Sequence, residues 1–300
     1  MSSRREDQRK TEQRLAASKN LDRMTAAEIV RLMNREDRKV AEAVKRELPA
    51  IARAVDAIVE AMRGGGRLIY VGAGSSGRMA VLDAAEVPPT FGVPHGAIRA
   101  FIAGGRQAVT GAVEGAEDAA HAGVTALRGA RVGKGDVVLG IAASGTTPYV
   151  LAAIKYARGR GATTIAITSN EQMPLAKLAK IAINVEIGPE VLTGSTRLKA
   201  GTAQKMVLNM LSTAAMVKLG HAYENLMIDA VLTNEKLQER AVRILMEASG
   251  ASVSAAEDAL RAAGHNMRVG LVMLKLGVGA GEARKKLAGA RGDLRRALGE

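Results

Sequence analysis

Twice in this sequence an apolar run passes through a turn of glycine and hydroxyl residues into a helix-forming stretch. Leu68-Ile69-Tyr70-Val71 leads into Gly72-Ala73-Gly74-Ser75-Ser76-Gly77-Arg78, and Val137-Val138-Leu139-Gly140-Ile141 leads into Ala142-Ala143-Ser144-Gly145-Thr146-Thr147. This unit constrains the fold strongly, because a buried strand followed at once by a helix is the building block of a parallel sheet with crossover helices. It also suits an anion. Glycines let backbone N–H groups approach a ligand, the helix presents its positive N-terminal end, and Ser75, Ser76, Ser144, Thr146 and Thr147 add hydroxyl donors. The same residues also serve as caps and turn formers, so either turn alone is compatible with a purely structural role. Their repeated placement after two strands favours a small phosphorylated ligand.

Further strands are expected along the same pattern. The apolar runs predict strands over Arg67–Val71, Ile98–Ile102, Val137–Ile141, Thr164–Thr168 and Ile181–Val185, with helices after Ser76, Gln107, Pro148 and Met173. The fold class is therefore α/β, a five-stranded parallel sheet flanked by helices. Ligands of such sheets sit beyond the carboxyl ends of the strands, where both turns fall. A Gly72-x-Gly74-x-x-Gly77 spacing also matches a dinucleotide fingerprint, but no acidic residue closes a second strand at the expected distance, which disfavours NAD.

The chain flanking this sheet is helical. Up to about Leu21 it is polar and reads as an arm, either mobile or wrapped on a partner subunit. Thr25 and Glu28 form a capping box, and Val40, Val44, Leu48, Ile51, Val55, Ile58 and Met62 mark one buried helical face. Pro49 starts a second helix or kinks the first, and Gly64-Gly65-Gly66 stops it. A hydroxyl-rich turn from Gly188 to Lys199 precedes a long helix through Met216. Past Leu232 helical segments end near Gly250, Gly264 and Gly277, with a capping box expected at Ser254 and Glu257, giving a small three-helix bundle.

Composition narrows the chemistry. With no cysteine among 300 residues, thiolate nucleophiles, thiolate metal sites and disulfides are excluded. His95, His121, His221 and His265 are far apart and lack ligand spacing, so no metal site is expected. The net charge of +13 is scattered through helical stretches and only 2% of residues are aromatic, which argues against nucleic acid as a partner. The charged start Met1-Ser2-Ser3-Arg4-Arg5-Glu6-Asp7 is unlike a secretory signal, and no apolar run is long enough to span a bilayer, so a soluble cytoplasmic chain without membrane association is expected.

Carboxylates remain as the reacting groups. Glu86, in Asp83-Ala84-Ala85-Glu86-Val87-Pro88-Pro89-Thr90, is expected to end the helix that begins at the first turn. A carboxylate at a helix C-terminus among apolar neighbours is favoured in its protonated form, which suits a general acid. Glu117 follows the second predicted strand and suits a general base at the same rim, with Glu114 and Asp118 nearly as well placed.

These motifs, in this order, resemble the bacterial N-acetylmuramic acid 6-phosphate etherase family. The resemblance rests on Gly72–Arg78, Asp83–Thr90, Gly140–Gly145, Gly188–Val191 and Lys199-Ala200-Gly201-Thr202-Ala203-Gln204-Lys205, and runs from the Thr11-Glu12-Gln13-Arg14 region to near the C-terminus. It implies a sugar isomerase (SIS) fold related to glucokinase regulatory protein, and a homodimer with active sites near the subunit interface. The domains would be an N-terminal arm and helices over 1–56, an SIS sugar-phosphate-binding domain over 57–232 and a small UBA-like three-helix domain over 233–300.

The implied reaction is cofactor-free cleavage of the D-lactyl ether by elimination and hydration, in amino sugar catabolism and peptidoglycan recycling. Glu117 would be the base and Glu86 the acid, with Ser75, Ser76, Ser144, Thr146, Glu190 and Ser195 binding the phosphorylated amino sugar. The family pattern often carries Arg at the position of Thr146, Thr at Ser75 and Cys at Val87. The missing arginine puts an anion contact in question, with Lys199 and Arg78 as basic residues that would compensate. A sugar-phosphate-sensing regulator on the same fold is the alternative, and an isomerase, which shares proton abstraction at C2, is a third reading.

Overall fold

The computed structural model describes residues 9–300, so the expectation for Met1–Asp7 lies outside the described residues. The chain divides into two compact units. One comprises the chain up to Ala85 together with Gly96–Ala215, the other Glu86–His95 with Met216–Glu300. The divisions fall within a helix at Ala85 and near the end of another at Ala215.

In the first unit, α1 (Ala26–Arg46) opens with the expected capping box: the Thr25 side chain accepts from the Glu28 N–H, and a Glu28 carboxylate oxygen accepts from the Thr25 N–H. Pro49 lies in the first turn of a new helix, α2 (Leu48–Arg63), where its missing N–H costs nothing. Leu48, expected on the buried face, is exposed because it begins that second helix.

The sheet consists of β1 (Leu68–Gly72), β2 (Ile98–Ile102), β3 (Val137–Ile141), β4 (Thr163–Thr168) and β5 (Ile181–Asn184), all parallel, in the order β2-β1-β3-β4-β5. Each lies within a residue of its sequence-based range. The crossovers are α3 (Gly74–Phe91), then α4 (Gln107–Thr110) and α5 (Ala120–Gly129), then α6 (Pro148–Gly159) and α7 (Pro174–Leu178), and β5 is followed by α8 (Lys199–Lys218). The α5 helix was not expected from sequence. It closes a buried layer in which Ile69, Val71 and Val138 meet Leu127, Val150 and Ile154. From β1 the chain moves outward to β2 and then crosses to β3 on the other side of β1, so the order reverses between β1 and β3. Gly72 pairs with Ile141 there, which brings the two hydroxyl-rich turns side by side.

Close backbone approach fixes the first turn. A Cβ on Gly77 would stand 2.5 Å from Ile102 Cγ1, and one on Gly72 2.8 Å from the Gly77 nitrogen. Overpacking of this kind costs about 1–3 kcal/mol, so Gly77→Ala is expected to lower stability by that amount in urea unfolding. Gly129→Ala, where a Cβ meets nothing within 4 Å, is expected to leave it within about 0.5 kcal/mol.

The described part of the arm is anchored at residues 10 and 11. Thr11 is buried, the Asn170 Nδ2 donates to its Oγ1 at 3.0 Å, and Lys10 pairs with Glu186 at 2.7 Å, so this chain's own sheet unit holds residues 10 and 11. A buried carboxylate ties three elements together: the Tyr70 hydroxyl on β1 donates to Asp83 on α3 at 2.8 Å, and Ser212 on α8 donates at 3.0 Å. Burial pushes the Asp83 carboxyl up despite those hydrogen bonds.

The second unit contains α9 (Glu235–Ser249), α10 (Val253–Ala262), α11 (Met267–Leu276), α12 (Ala280–Gly289) and α13 (Leu294–Leu298), five helices where three were expected. Gly250 and Gly277 end α9 and α11 in the left-handed conformation, as their positions suggested. The cap of α10 is Ser252, which accepts from the Ala255 N–H, so the expected box at Ser254 and Glu257 lies inside the helix instead. Leu245, Leu260, Leu271, Leu287 and Leu294 share one core, which gives this unit apolar burial of its own. Among the described residues no helix is long and apolar enough to cross a membrane.

Candidate active site

At the carboxyl ends of β1 and β3 the first unit encloses a cavity of about 340 Å³. One wall is the first turn. Gly74 takes a φ of 51° and starts α3, which places Ser75 and Ser76 in the first helical turn, where backbone N–H groups have no intrahelical acceptor. The second wall is the turn after β3. Gly145 is left-handed at φ 69°, and a Cβ there would stand 2.4 Å from Met173 Cβ, so only glycine fits. Within that turn Thr146 donates to the Ser144 Oγ from both its backbone nitrogen (3.2 Å) and its hydroxyl (3.1 Å), which aligns both side chains on the cavity. Thr147 stands at the N-cap of α6 but makes no side-chain capping bond, which leaves its hydroxyl for a ligand.

The third wall is a short 3₁₀ turn, Ala116–Asp118, reached through a left-handed Gly115. It brings Glu117 and Asp118 to the cavity; Glu114 is not among the lining residues. Arg78 in α3 braces the approach to this turn by donating to the carbonyls of Val109 (3.1 Å) and Gly111 (2.6 Å). Arg9 and Glu12 of the arm and Gly194 and Thr196 of the turn before α8 complete the lining. Hydroxyls and helix N-termini thus form an anion-favouring floor, with three carboxylates and one guanidinium above it.

Of the residues singled out in the sequence, Ser75, Ser76, Glu117, Ser144 and Thr146 meet in this cavity. Glu86 does not line it. The α3 helix runs on through Pro88 and Pro89 to Phe91, so Glu86 is one turn inside the helix and exposed. Glu190 is fully buried and accepts from the N–H groups of Lys199 and Ala200, both at 3.0 Å, so it holds the start of α8. Burial pushes its carboxyl up, against the lowering effect of those two bonds. Ser195 is half-buried between the lining residues Gly194 and Thr196 and is itself outside the lining.

Nor do the two basic residues considered as replacements for the family arginine reach the cavity. Arg78 is engaged with the 109–111 backbone, and Lys199 is buried against Glu36 and the Ile187 carbonyl. The cationic side chain that lines the cavity is Arg9. The sequence carried little sign of this, since an arginine in a polar arm looks like solvated surface. The fixed position of Thr11 two residues on is what directs it.

Comparison with known proteins agrees with this architecture. Residues 50–158 match the N-terminal SIS domain of glucokinase regulatory protein, and residues 118–214 match the SIS domain. A solved phosphoheptose isomerase from Neisseria gonorrhoeae shares the fold, with a TM-score of 0.51 and 22% identity over 64% of this chain and 98% of its own. The N-acetylmuramic acid 6-phosphate etherases of Serratia proteamaculans and Yersinia pestis are 54% and 51% identical to this chain over 96% of its length, covering 97% and 98% of theirs. With more than half of its residues shared along nearly the whole of both chains, the protein belongs to the N-acetylmuramic acid 6-phosphate etherase family.

Proposed function

We propose that this chain is a carbon–oxygen lyase that cleaves the D-lactyl ether of N-acetylmuramic acid 6-phosphate, giving N-acetylglucosamine 6-phosphate and D-lactate. The observation that carries the reading is the meeting of Glu117 with both hydroxyl-rich turns in one cavity. The 6-phosphate sits on the hydroxyls and N–H groups of Ser75, Ser76, Ser144, Thr146 and Thr147, which positions the open-chain sugar toward Glu117. The C1 aldehyde acidifies the C2 hydrogen, and Glu117 removes it. The electron pair forms the C2–C3 double bond as the C3–O bond breaks, and lactate departs with the ether oxygen. The resemblance assigns protonation of that oxygen to Glu86; this residue lies outside the cavity lining, so the resemblance and not the cavity's geometry carries the role. Water then adds at C3, its proton passing to the Glu86 carboxylate, while Glu117 returns a proton to C2. These steps ask for two carboxyl groups and no cofactor. A homodimeric, cytoplasmic enzyme of amino sugar catabolism and peptidoglycan recycling is the setting this activity implies.

The test is D-lactate release from N-acetylmuramic acid 6-phosphate by the purified chain, with Glu86→Ala as control. Release that the variant lacks supports the lyase. Tight phosphosugar binding with no release points to the sensor, and a product that keeps all its carbons points to an isomerase.

Arg9 serves as the cation for the phosphate or the lactyl carboxylate, the contact that an arginine at the position of Thr146 would make. A charge-assisted hydrogen bond is worth about 1.5–3 kcal/mol, so Arg9→Ala is expected to raise KM by roughly 10- to 150-fold in steady-state lactate release. A normal KM in that variant would remove Arg9 from substrate binding.

A further inference from the structure

The first unit has a second cavity, of about 720 Å³, against the edge strand β2. Val81, Phe101, Ile102, Val109 and Ala126 give it apolar walls. Three hydrogen-bond donors stand among them. Tyr149, only 3% exposed, lines the cavity and its hydroxyl has no hydrogen-bond partner among the described residues. Arg106 and His121 line it as well; both are exposed, and neither makes a side-chain hydrogen bond or ion pair among the described residues. Arg99 adds positive charge by stacking on the Phe101 ring at 5.0 Å. No aspartate or glutamate is part of the lining.

The Tyr149 hydroxyl is open to the cavity, and a pocket with apolar walls and a few convergent donors is the usual form of a small-molecule site. Among the lining residues Arg106 is the cation, no carboxylate opposes it, and Tyr149 and His121 can each donate, so an acceptor bearing negative charge complements this wall. We propose that this cavity binds a small amphipathic carboxylate, its hydrocarbon or aromatic body against Val81, Phe101 and Ile102 and its carboxylate between Tyr149, Arg106 and His121.

Such a site touches the machinery of the first cavity on two sides. Val81 lies on the helix of the first hydroxyl-rich turn, and Tyr149 directly follows Pro148 at the start of the helix of the second. The walls from Gly104 to Val109 and from His121 to Ala126 also bracket the exposed segment 110–120, which carries Glu117. A ligand that holds both ends of that segment therefore changes how Glu117 is presented. This consequence rests on the role proposed for Glu117; the binding itself does not.

The experiment is calorimetric titration of octanoate and, separately, of 1-naphthoate into the full chain without substrate, followed by hydrogen exchange of the complex. Saturable binding at one site per chain is expected for at least one probe, and the two arms separate an aliphatic from an aromatic body. Arg106→Glu is expected to weaken binding at least about tenfold. Ala126→Trp, which fills the cavity, should remove binding while circular dichroism stays that of the parent. Slowed exchange is expected over 104–109 and 121–126. No saturable binding of either probe, or binding indifferent to both substitutions, would overturn the proposal. So would an Arg106→Glu variant that changes only the monomer–dimer equilibrium, since a second copy of the chain would then be the occupant.

Discussion

Glu117→Gln is expected to lower D-lactate release by about 10²- to 10⁴-fold and to abolish exchange of the C2 hydrogen with solvent. The substitution keeps the shape of the side chain and removes its basicity. Glu86→Ala should also block release, yet leave C2 exchange in place, because proton abstraction precedes departure of lactate. The two outcomes are read together by following deuterium uptake at C2 in heavy water alongside lactate. Equal exchange in the two variants would contradict the division of roles. Asp118 and Glu12 share the cavity with Glu117, so Asp118→Asn and Glu12→Gln serve as comparisons, with release expected to stay within about tenfold of the parent, below the range for loss of a catalytic base.

Lys199→Met is expected to destabilise the fold by about 3–5 kcal/mol. Lys199 is 2% exposed and Glu36 3%, and the ammonium donates to Glu36 at 3.2 Å and to the Ile187 carbonyl at 2.9 Å. Removing it leaves a buried carboxylate and a buried carbonyl short of a donor. Lys39 also pairs with Glu36 at 2.7 Å, but its side chain is 60% exposed, so Lys39→Ala should cost at most about 1 kcal/mol. The double variant Glu36→Leu/Lys199→Met should recover much of the loss, because it removes both desolvated charges together. Urea unfolding measures all three.

The same pair sets a pH dependence. Burial opposes ionisation of Glu36, but the hydrogen bonds and charges of Lys39 and Lys199 outweigh it and hold the carboxyl below the usual range. A depressed value in the folded state means that the stabilisation is fully present above the unfolded glutamate pKa of about 4.3 and is lost as pH falls through the folded value. Acid unfolding should therefore shift when Glu36 is replaced. The effect also reaches the candidate site, because α1, α8 and the 187–199 turn meet at this ion pair and Gly194 and Thr196 of that turn line the cavity.

The strands were legible because each is an apolar run bounded by turn residues, and β1 and β3, buried along their whole length, read as continuous hydrophobic segments. The two turns were legible for the same reason, since they interrupt those runs with glycine and hydroxyl residues. The α5 helix was not. Its sequence holds Gly123 and Gly129 in ten residues, a poor helix former by propensity, yet a Cβ at Gly123 would stand 2.2 Å from the Tyr149 carbonyl. Close contact with α6 demands the glycine that local propensity counts against. The end of α3 differs in the opposite sense: the helix expected to end at Glu86 continues through Pro88 and Pro89 to Phe91.

Site residues divided along a similar line. Hydroxyls in a glycine-rich turn announce themselves, and Ser75, Ser76, Ser144 and Thr146 are in the cavity wall. Glu190 lay in an equally suggestive turn, but its carboxylate holds the first N–H groups of α8, a task any acidic residue before a helix can take. Arg9 and Glu12 depend on how the arm is folded back, through Thr11 and Asn170, 159 positions apart in the chain, and no local pattern encodes that contact.

Cleavage in water enriched in oxygen-18 tests elimination and hydration at this cavity most directly. The label is expected at C3 of the N-acetylglucosamine 6-phosphate formed, with D-lactate retaining the original ether oxygen. Label in the lactate hydroxyl, with none at C3, would mean that water attacks the lactyl carbon, and would contradict a reaction begun by Glu117 at C2.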